Sequence, residues 1–193
     1  YGKTPVVFDV NFSVAEGESF ALVGESGSGK STILKAISGL APDWTGRISV
    51  LGKPRGHAPD RAFAKACQMV FQDPFASLNP RMTIGEVLEE PLIVHDLFDR
   101  PTRKRKVAEI LERVGLSQSY ASRHPHEFSG GQRQRVGIAR ALALNPKFIV
   151  ADEAVSALDV SVQSQVLNLI DDLQSEFGIS FLFISHDLAV VQH

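Results

Sequence analysis

Cysteine is almost absent from this sequence, which has one, Cys67, among 193 residues. A single cysteine cannot form an internal disulfide, so a small disulfide-stabilised secreted domain is excluded. The first residues also lack the charged-then-apolar order of a signal peptide. We therefore expect a reducing, cytoplasmic setting, and we interpret Cys67 as a small buried residue without chemistry.

Long apolar runs and an excess of one charge are absent as well. Hydrophobic residues make up 44% of the chain, but no run approaches the roughly 18 consecutive apolar residues of a membrane-spanning helix. The formal net charge is only −2, with both signs interspersed, so no global attraction to nucleic acid or anionic lipid is expected. We therefore expect no nucleic-acid partner, and the length favours one domain with a sizeable core.

What the chain does contain is a complete phosphate-binding pattern, G-x-x-x-x-G-K-[ST]. The apolar run 19–23 before it predicts a buried strand, and the run 33–37 after it predicts a helix, which is the context that the motif requires. Glycines let successive backbone N–H groups point into one concavity at a helix N-terminus. The pattern therefore predicts a site for a nucleoside triphosphate, formed by the phosphate loop Gly24, Glu25, Ser26, Gly27, Ser28, Gly29, Lys30, Ser31 and Thr32.

Three side chains of the phosphate loop have separate expected tasks. Lys30 is expected to reach the β- and γ-phosphates, and the Ser31 hydroxyl to coordinate Mg²⁺. Thr32 is expected to support the α-phosphate side. The loop therefore predicts a metal ion as well as a nucleotide.

Short apolar runs alternate with helical stretches along the chain, which predicts an α/β domain with a largely parallel sheet. Between about 74 and 128 strand signals are missing, and apolar residues recur at helical spacing. We therefore expect one domain over 1–193, with a core formed by 1–72 and 129–193 and an inserted helical subdomain at 73–128.

Polar side chains end two of the predicted strands. The apolar run 148–151 leads into Asp152 and Glu153, and the run 179–184 leads into Ser185 and His186. Ligands of α/β sheets bind at such strand ends, so Asp152 is expected to hold the Mg²⁺ shell and Glu153 to polarise an attacking water. An ordinary acidic strand end and a structural histidine are the alternatives.

A small-residue turn, Ser129-Gly130-Gly131-Gln132, opens a second predicted helix and offers another anion-binding helix N-terminus. With Phe128 before it, the segment closely resembles LSGGQ, the signature sequence of ATP-binding-cassette (ABC) ATPases. The resemblance covers essentially the whole chain, and it implies a RecA-like phosphate-loop NTPase core that binds ATP with Mg²⁺. It also implies that two subunits pack head to tail, so that the signature of one caps the γ-phosphate held by the other.

The resemblance assigns further residues one by one. Gln72 looks like the glutamine that touches Mg²⁺ and the attacking water, while Asp152 looks like the second Walker acid and Glu153 like the catalytic base. Asp159 in Ser156-Ala157-Leu158-Asp159 resembles the D-loop along the dimer seam.

Two more resemblances fall near the ends of the sequence. His186 looks like the histidine that contacts the γ-phosphate, and Tyr1 stands where an aromatic residue stacks on adenine. Family members have strands before this start and after this end, so we expect a chain truncated at both ends.

The segments Phe71–Pro80 and Ser156–Gln163 are similar to those of the dipeptide, oligopeptide and nickel importers within the family. The resemblance implies an ATP-hydrolysing subunit on the cytoplasmic face of the cell membrane. Its implied partners are a second ABC subunit, identical or not, a transmembrane permease and, indirectly, an extracytoplasmic substrate-binding protein.

Two other functions stay open at this point. One is a non-transport ABC ATPase of translation or DNA repair, and the other is a regulatory module that binds ATP without turnover. The second gains some weight from Ala154, because the family usually has proline after the catalytic glutamate, and losing it frees the local backbone.

Overall fold

The computed structural model of the chain describes residues 6–41, 43–57 and 60–185. Its elements follow in the order β1 (Ser19–Val23), α1 (Lys30–Ser38), β2 (Ser49–Val50), β3 (Lys53–Pro54), α2 (Arg61–Ala66), β4 (Cys67–Val70), α3 (Pro74–Ser77), α4 (Ile84–Val94), α5 (Arg100–Arg113), two 3₁₀ helices (Gln118–Ser122 and Pro125–Glu127), α6 (Gly130–Leu142), β5 (Phe148–Asp152), α7 (Val160–Phe177) and β6 (Ser180–Ser185). β2 and β3 pair as a separate antiparallel hairpin, which the sequence did not predict.

Four strands form one parallel sheet in the order β1-β6-β5-β4. Parallel neighbours need crossover connections, and the helices between the strands supply them. The predicted α/β fold with a largely parallel sheet is therefore confirmed. No helix among the described residues is long and apolar enough to cross a membrane.

Side chains of the central strand β5 alternate between two apolar clusters. Phe148 and Val150 pack with Leu34 and Ile37 of α1, whereas Ile149 and Ala151 join the larger cluster that contains α6, α7 and the helices of the middle segment. Because successive side chains of a strand point to opposite faces, the sheet carries helices on both sides. Cys67 lies in the first cluster and is 7% exposed, so its prediction as a buried residue is confirmed.

The middle segment 73–128 contains helices and no strand, as its periodicity predicts. Its helices begin at good caps: Thr83 and Glu86 form a capping box at α4, and the Asp99 carboxylate accepts from the Thr102 backbone N–H at α5. The division of the chain into a core and a helical subdomain at these boundaries stays a prediction.

β1 was predicted as a buried strand, and this is wrong. Its three central residues are half-buried, and its last residue, Val23, is 42% exposed. Among the described residues β1 pairs on one side only, with β6, because it lies at an edge of the sheet. An edge strand has a neighbour to cover only one of its flanks.

Candidate functional site

The phosphate loop connects the end of β1 to the start of α1. Gly27 and Gly29 have φ angles of 82° and 94°, in the left-handed region that glycine adopts without strain. A Cβ on Gly29 would lie 2.3 Å from Cγ2 of Val7, so a side chain is also excluded for lack of space. Backbone N–H groups of the first helical turn have no partner within the helix. The local sequence therefore builds an open, electropositive helix N-terminus.

Lys30 is the first residue of α1, and its side chain folds back into the loop. Its Nζ donates to the carbonyl oxygens of Gly24 and Glu25 over 2.6 and 2.7 Å. The residue is only 7% exposed, although lysine is rarely buried without partners. The ammonium group thus lies inside the curve of the loop.

Ser31 and Asp152 bring the first turn of α1 against the end of β5. The Ser31 hydroxyl donates to Oδ1 of Asp152 over 3.1 Å, although 121 residues separate the two. Burial raises the pKa of the Asp152 carboxyl above its usual value, and the Ser31 hydrogen bond offsets part of this effect. The two oxygen ligands predicted for Mg²⁺ are therefore adjacent.

Glu153 follows β5 and lies beside Gln72, which follows β4. The Gln72 Nε2 donates to Oε2 of Glu153 over 2.8 Å. Glu153 has a φ of 45°, unusual for a residue with a side chain. Its N–H donates to the Ile184 carbonyl, and its own carbonyl accepts from the N–H and the hydroxyl of Ser156. These contacts hold the strained backbone in place.

The donors gathered here fit the ion that the sequence predicts. Mg²⁺ prefers oxygen ligands and is usually held by one or two carboxylates together with phosphate and water. Ser31 supplies a hydroxyl, Asp152 a carboxylate and Gln72 an amide. These groups lie at the carboxyl ends of neighbouring parallel strands or at the adjacent helix N-terminus, where α/β sheets bind phosphate ligands.

The signature turn, Ser129–Gln132, forms the start of α6. Ser129 caps the helix in a reciprocal capping box with Gln132. A Cβ on Gly131 would lie 2.4 Å from Cγ1 of Val162, and one on Gly130 would lie 3.4 Å from a methyl group of Leu158. The two glycines thus let α6 approach the segment that begins α7. That helix has Asp159 at its N-cap position, with no hydrogen bond from the helix to its side chain.

The structure brings together some of the predicted site residues and not others. Lys30, Ser31, Gln72, Asp152 and Glu153 surround the carboxyl end of the sheet. No hydrogen bond among the described residues joins the signature turn to the phosphate loop. Tyr1 and His186, predicted for adenine and the γ-phosphate, lie outside the described residues.

Sequence reasoning missed two residues that contact this region, Arg133 and Arg140 of α6. Arg140 donates to the Ser77 carbonyl over 2.6 Å, and the Arg133 guanidinium lies 5.3 Å from the centre of the Phe75 ring. The spacing of these two arginines was visible in the sequence, since residues seven apart share one face of a helix. Nothing in the sequence identified what that face contacts.

A parallel sheet with a phosphate loop at its edge and two consecutive acids at the end of a central strand defines a phosphate-loop nucleotide-binding domain. The chain belongs to the ABC transporter family, whose model matches residues 7–156.

Relatives with transport names are similar over nearly the whole chain. The oligopeptide transport ATP-binding protein AppF of Bacillus subtilis (strain 168) is 52% identical over 196 residues, which cover 100% of this chain and 60% of AppF. The oligopeptide transport ATP-binding protein OppF of Escherichia coli (strain K12) is 54% identical over 188 residues, which cover 95% of this chain and 56% of OppF. The chain thus spans somewhat over half the length of these curated relatives.

A solved structure supports the fold. The ATP-binding cassette MJ0796, in a dimeric post-hydrolysis state bound to ADP and Pi, has a TM-score of 0.83 and 34% sequence identity to this chain. The match covers 96% of this chain and 82% of that one. The predicted phosphate-loop NTPase fold is therefore confirmed.

Proposed function

We propose that this chain is the ATP-binding and ATP-hydrolysing part of an ABC importer, acting on peptides or nickel from the cytoplasmic face of the cell membrane. The observation that carries the proposal is the placement of Glu153, held by Gln72, next to the Ser31 and Asp152 pair and the phosphate loop. The names of the relatives, which include oligopeptide transport proteins and a glutathione import protein, support import rather than translation or DNA repair. They give no support to a module that binds ATP without turnover.

The phosphate loop and Lys30 would bind the triphosphate through backbone N–H groups and one buried cation. Ser31, Asp152 and Gln72 would hold Mg²⁺, which would neutralise charge on the β- and γ-phosphates. Glu153 would accept a proton from the attacking water and orient it in line with the γ-phosphate. The hydrogen bond from the Gln72 amide to the carboxylate, and the contacts of Ile184 and Ser156 with the Glu153 backbone, support this role.

The signature turn of a second ABC subunit would close the site from the opposite side, with Asp159 near the seam. His186 would contact the γ-phosphate and Tyr1 the adenine ring. Closure and reopening of such a pair would drive a transmembrane permease, which receives its cargo from an extracytoplasmic binding protein. The helical subdomain at 73–128 would contact the permease, and Phe75, which is 54% exposed and follows Gln72 by three residues, is a candidate contact.

The test is the molecular mass of the full-length Glu153→Gln variant in solution, measured by light scattering with and without Mg-ATP. ATP should double the mass, because the variant binds ATP without cleaving it, and the wild type should hydrolyse ATP. The matched control is Glu176→Gln, which changes an exposed glutamate in α7 and should hydrolyse ATP like the wild type. A wild type that binds no ATP would refute the proposal.

Crosslinking tests the permease contact separately. Cysteines placed between Phe75 and Thr83 should couple to permease helices in the assembled transporter. If none of them couples while the ATPase stays active, the proposed permease surface is wrong and the ATPase assignment stands.

A further inference from the structure

α6 contacts the short helix α3 through two arginines on one face. The Arg140 Nη1 donates to the Ser77 carbonyl, the last of α3, over 2.6 Å. Two turns earlier, the guanidinium of Arg133 lies over the Phe75 ring, and its Nη1 donates to the Phe128 carbonyl over 2.6 Å. A cation next to the carbonyl end of a helix is favoured by charge as well as by the hydrogen bond. The two contacts fix α3 against α6.

α3 itself is a rigid turn that begins directly after Gln72. The Asp73 carboxylate accepts from the N–H groups of Phe75 and Ala76 over 2.8 and 3.1 Å. Pro74 at its first position is buried, and Leu78 just after it is 2% exposed. The segment 73–78 is therefore held together by its own contacts, and it follows Gln72 directly in the chain.

Gln72 in turn contacts Glu153 over 2.8 Å. A continuous set of contacts therefore runs from α6, which begins at the signature turn, through α3 and Gln72 to the carboxylate beside the phosphate loop. The arginines of α6 thus link α6 to the segment that follows Gln72, in addition to the direct packing of α6 against β4.

We propose that Arg140, assisted by Arg133, is a positioning residue that couples the signature helix α6 to Gln72 and, through it, to Glu153. The inference rests on the proposed function, since the coupled event is ATP hydrolysis. A displacement of α6 when its signature turn engages a partner subunit would be passed to α3 and would change how Gln72 holds the Glu153 carboxylate. Arg140 touches neither nucleotide nor water in this scheme, and it acts only through Gln72.

The test is a double-mutant cycle in the full-length protein, with ATP hydrolysis as the readout. Arg140→Met should lower kcat about tenfold, the effect expected when a charge-assisted hydrogen bond is lost. KM for Mg-ATP should change less than about twofold, because the phosphate loop is untouched. In a Gln72→Ala background the same Arg140→Met change should have no further effect on kcat, since the residue through which Arg140 acts is already gone.

The matched control is Arg135→Met on the same helix. The Arg135 Nη1 donates to the Val114 carbonyl over 2.8 Å, so this variant also loses an arginine–carbonyl hydrogen bond, but one that holds the end of α5. Arg135→Met should leave kcat within about twofold of the wild type. Equal losses in the two variants, or an Arg140→Met effect that persists unchanged without Gln72, would overturn the inference.

A second variant and a second measurement distinguish a loss of coupling from misfolding of Arg140→Met. Phe75→Leu changes a side chain that is 54% exposed and removes the cation–π contact, so it should lower kcat two- to fivefold, again only when Gln72 is present. Hydrogen exchange gives a readout without turnover: the N–H groups of Phe75 and Ala76 should exchange at least tenfold faster in Arg140→Met than in Arg135→Met.

Failure of the proposed function and failure of the positioning role of Arg140 give different results. A wild type without hydrolysis, together with equal exchange rates in the two arginine variants, overturns the proposed function and this inference together. An active wild type with kcat unchanged in both Arg140→Met and Phe75→Leu overturns the inference alone.

Discussion

Gln72 and Glu153 lie opposite each other because of the register of β4 and β5. Each pair in that register, such as Cys67 with Phe148 or Val70 with Ala151, is separated by the same 81 residues as the two hydrogen-bonded side chains. The two side chains thus continue the ladder just beyond the strand ends. A slip of one residue would turn the side chains of one strand to the other face and would separate amide from carboxylate.

Replacing Lys30 should abolish tight nucleotide binding. Lys30→Met removes the buried ammonium that lies within the phosphate loop, so affinity for an ATP analogue should fall about 10- to 100-fold, as for the loss of a hydrogen bond to a charged group. Equilibrium titration with a fluorescent analogue measures the change. Lys35→Met, an exposed lysine one turn further along α1, is the control and should keep nearly wild-type affinity.

Asp152 should make stability depend on pH in a predictable direction. Burial raises the pKa of its carboxyl in the folded state, so the fold favours the neutral form. The contribution of the neutral Asp152 carboxyl to the free energy of unfolding is complete below the unfolded pKa of about 3.9. It is lost as the pH rises through the raised pKa of the folded state. Without Mg²⁺, Asp152→Asn should therefore have a higher Tm than the wild type at pH 8, and the difference should shrink towards pH 4.

A thermal unfolding series across pH measures this effect. Asp172→Asn, which changes an exposed aspartate in α7, is the matched control against which the Asp152→Asn series is compared. A wild type that gains stability over Asp152→Asn as the pH rises would contradict the prediction.

Two glycines of α6 should respond in opposite ways to the same substitution. Gly131→Ala places a Cβ 2.4 Å from Cγ1 of Val162, whose β-branched side chain has little freedom to move in a helix, so unfolding should become easier by about 1–3 kcal/mol. Gly137→Ala meets no atom within 4 Å and should stabilise the helix by about 1 kcal/mol. Urea unfolding of both variants measures the change in the free energy of unfolding. Changes of the same sign in the two variants would refute the packing argument.

Proline at position 154 should disturb the Glu153 backbone. A proline restricts the residue before it to extended conformations, whereas Glu153 has a φ of 45°. We expect Ala154→Pro to destabilise the protein by about 1–3 kcal/mol and to change kcat. Ala154→Gly changes the same residue without restricting Glu153, so a Pro variant as stable and as active as the Gly variant would show that the left-handed conformation is dispensable.

Cys67 should be unreactive towards thiol reagents in the folded protein. Burial raises the pKa of its thiol to about 12, so at pH 8 only about one molecule in ten thousand carries the reactive thiolate. A thiol reagent should find no reactive group under native conditions and one per chain in urea, since Cys67 is the single cysteine. Rapid labelling of the folded protein would show that the strand β4 opens locally.

The sequence predicted those features that depend on neighbouring residues. The bounds of β1 and the presence of α1 followed from apolar runs on either side of the phosphate loop, and the helices of 73–128 followed from their spacing. The exposure of β1 was mispredicted, because a pattern of apolar residues does not reveal whether a strand lies at a sheet edge. The left-handed Glu153 was equally hidden, since its conformation depends on contacts with Ile184 and Ser156.

Contacts between distant segments were beyond prediction for a related reason. The Arg140 hydrogen bond to Ser77 spans 63 residues, and the stacking of Trp44 on His57 at 4.2 Å depends on how two loops meet. Residue type shows that an arginine or a tryptophan needs a partner, but it does not choose that partner.

The strand order has a consequence for the synthesis of this protein on the ribosome. β1 and β4 form the two flanks of the described sheet, and the strands between them, β5 and β6, are made last. Ser19 pairs with Phe181, so β1 cannot pair with β6 until Phe181 has been synthesised, on the order of ten seconds later at ordinary elongation rates. During that interval the nascent chain exposes strands without neighbours, so this domain is expected to depend on chaperones to avoid aggregation before its last strand emerges.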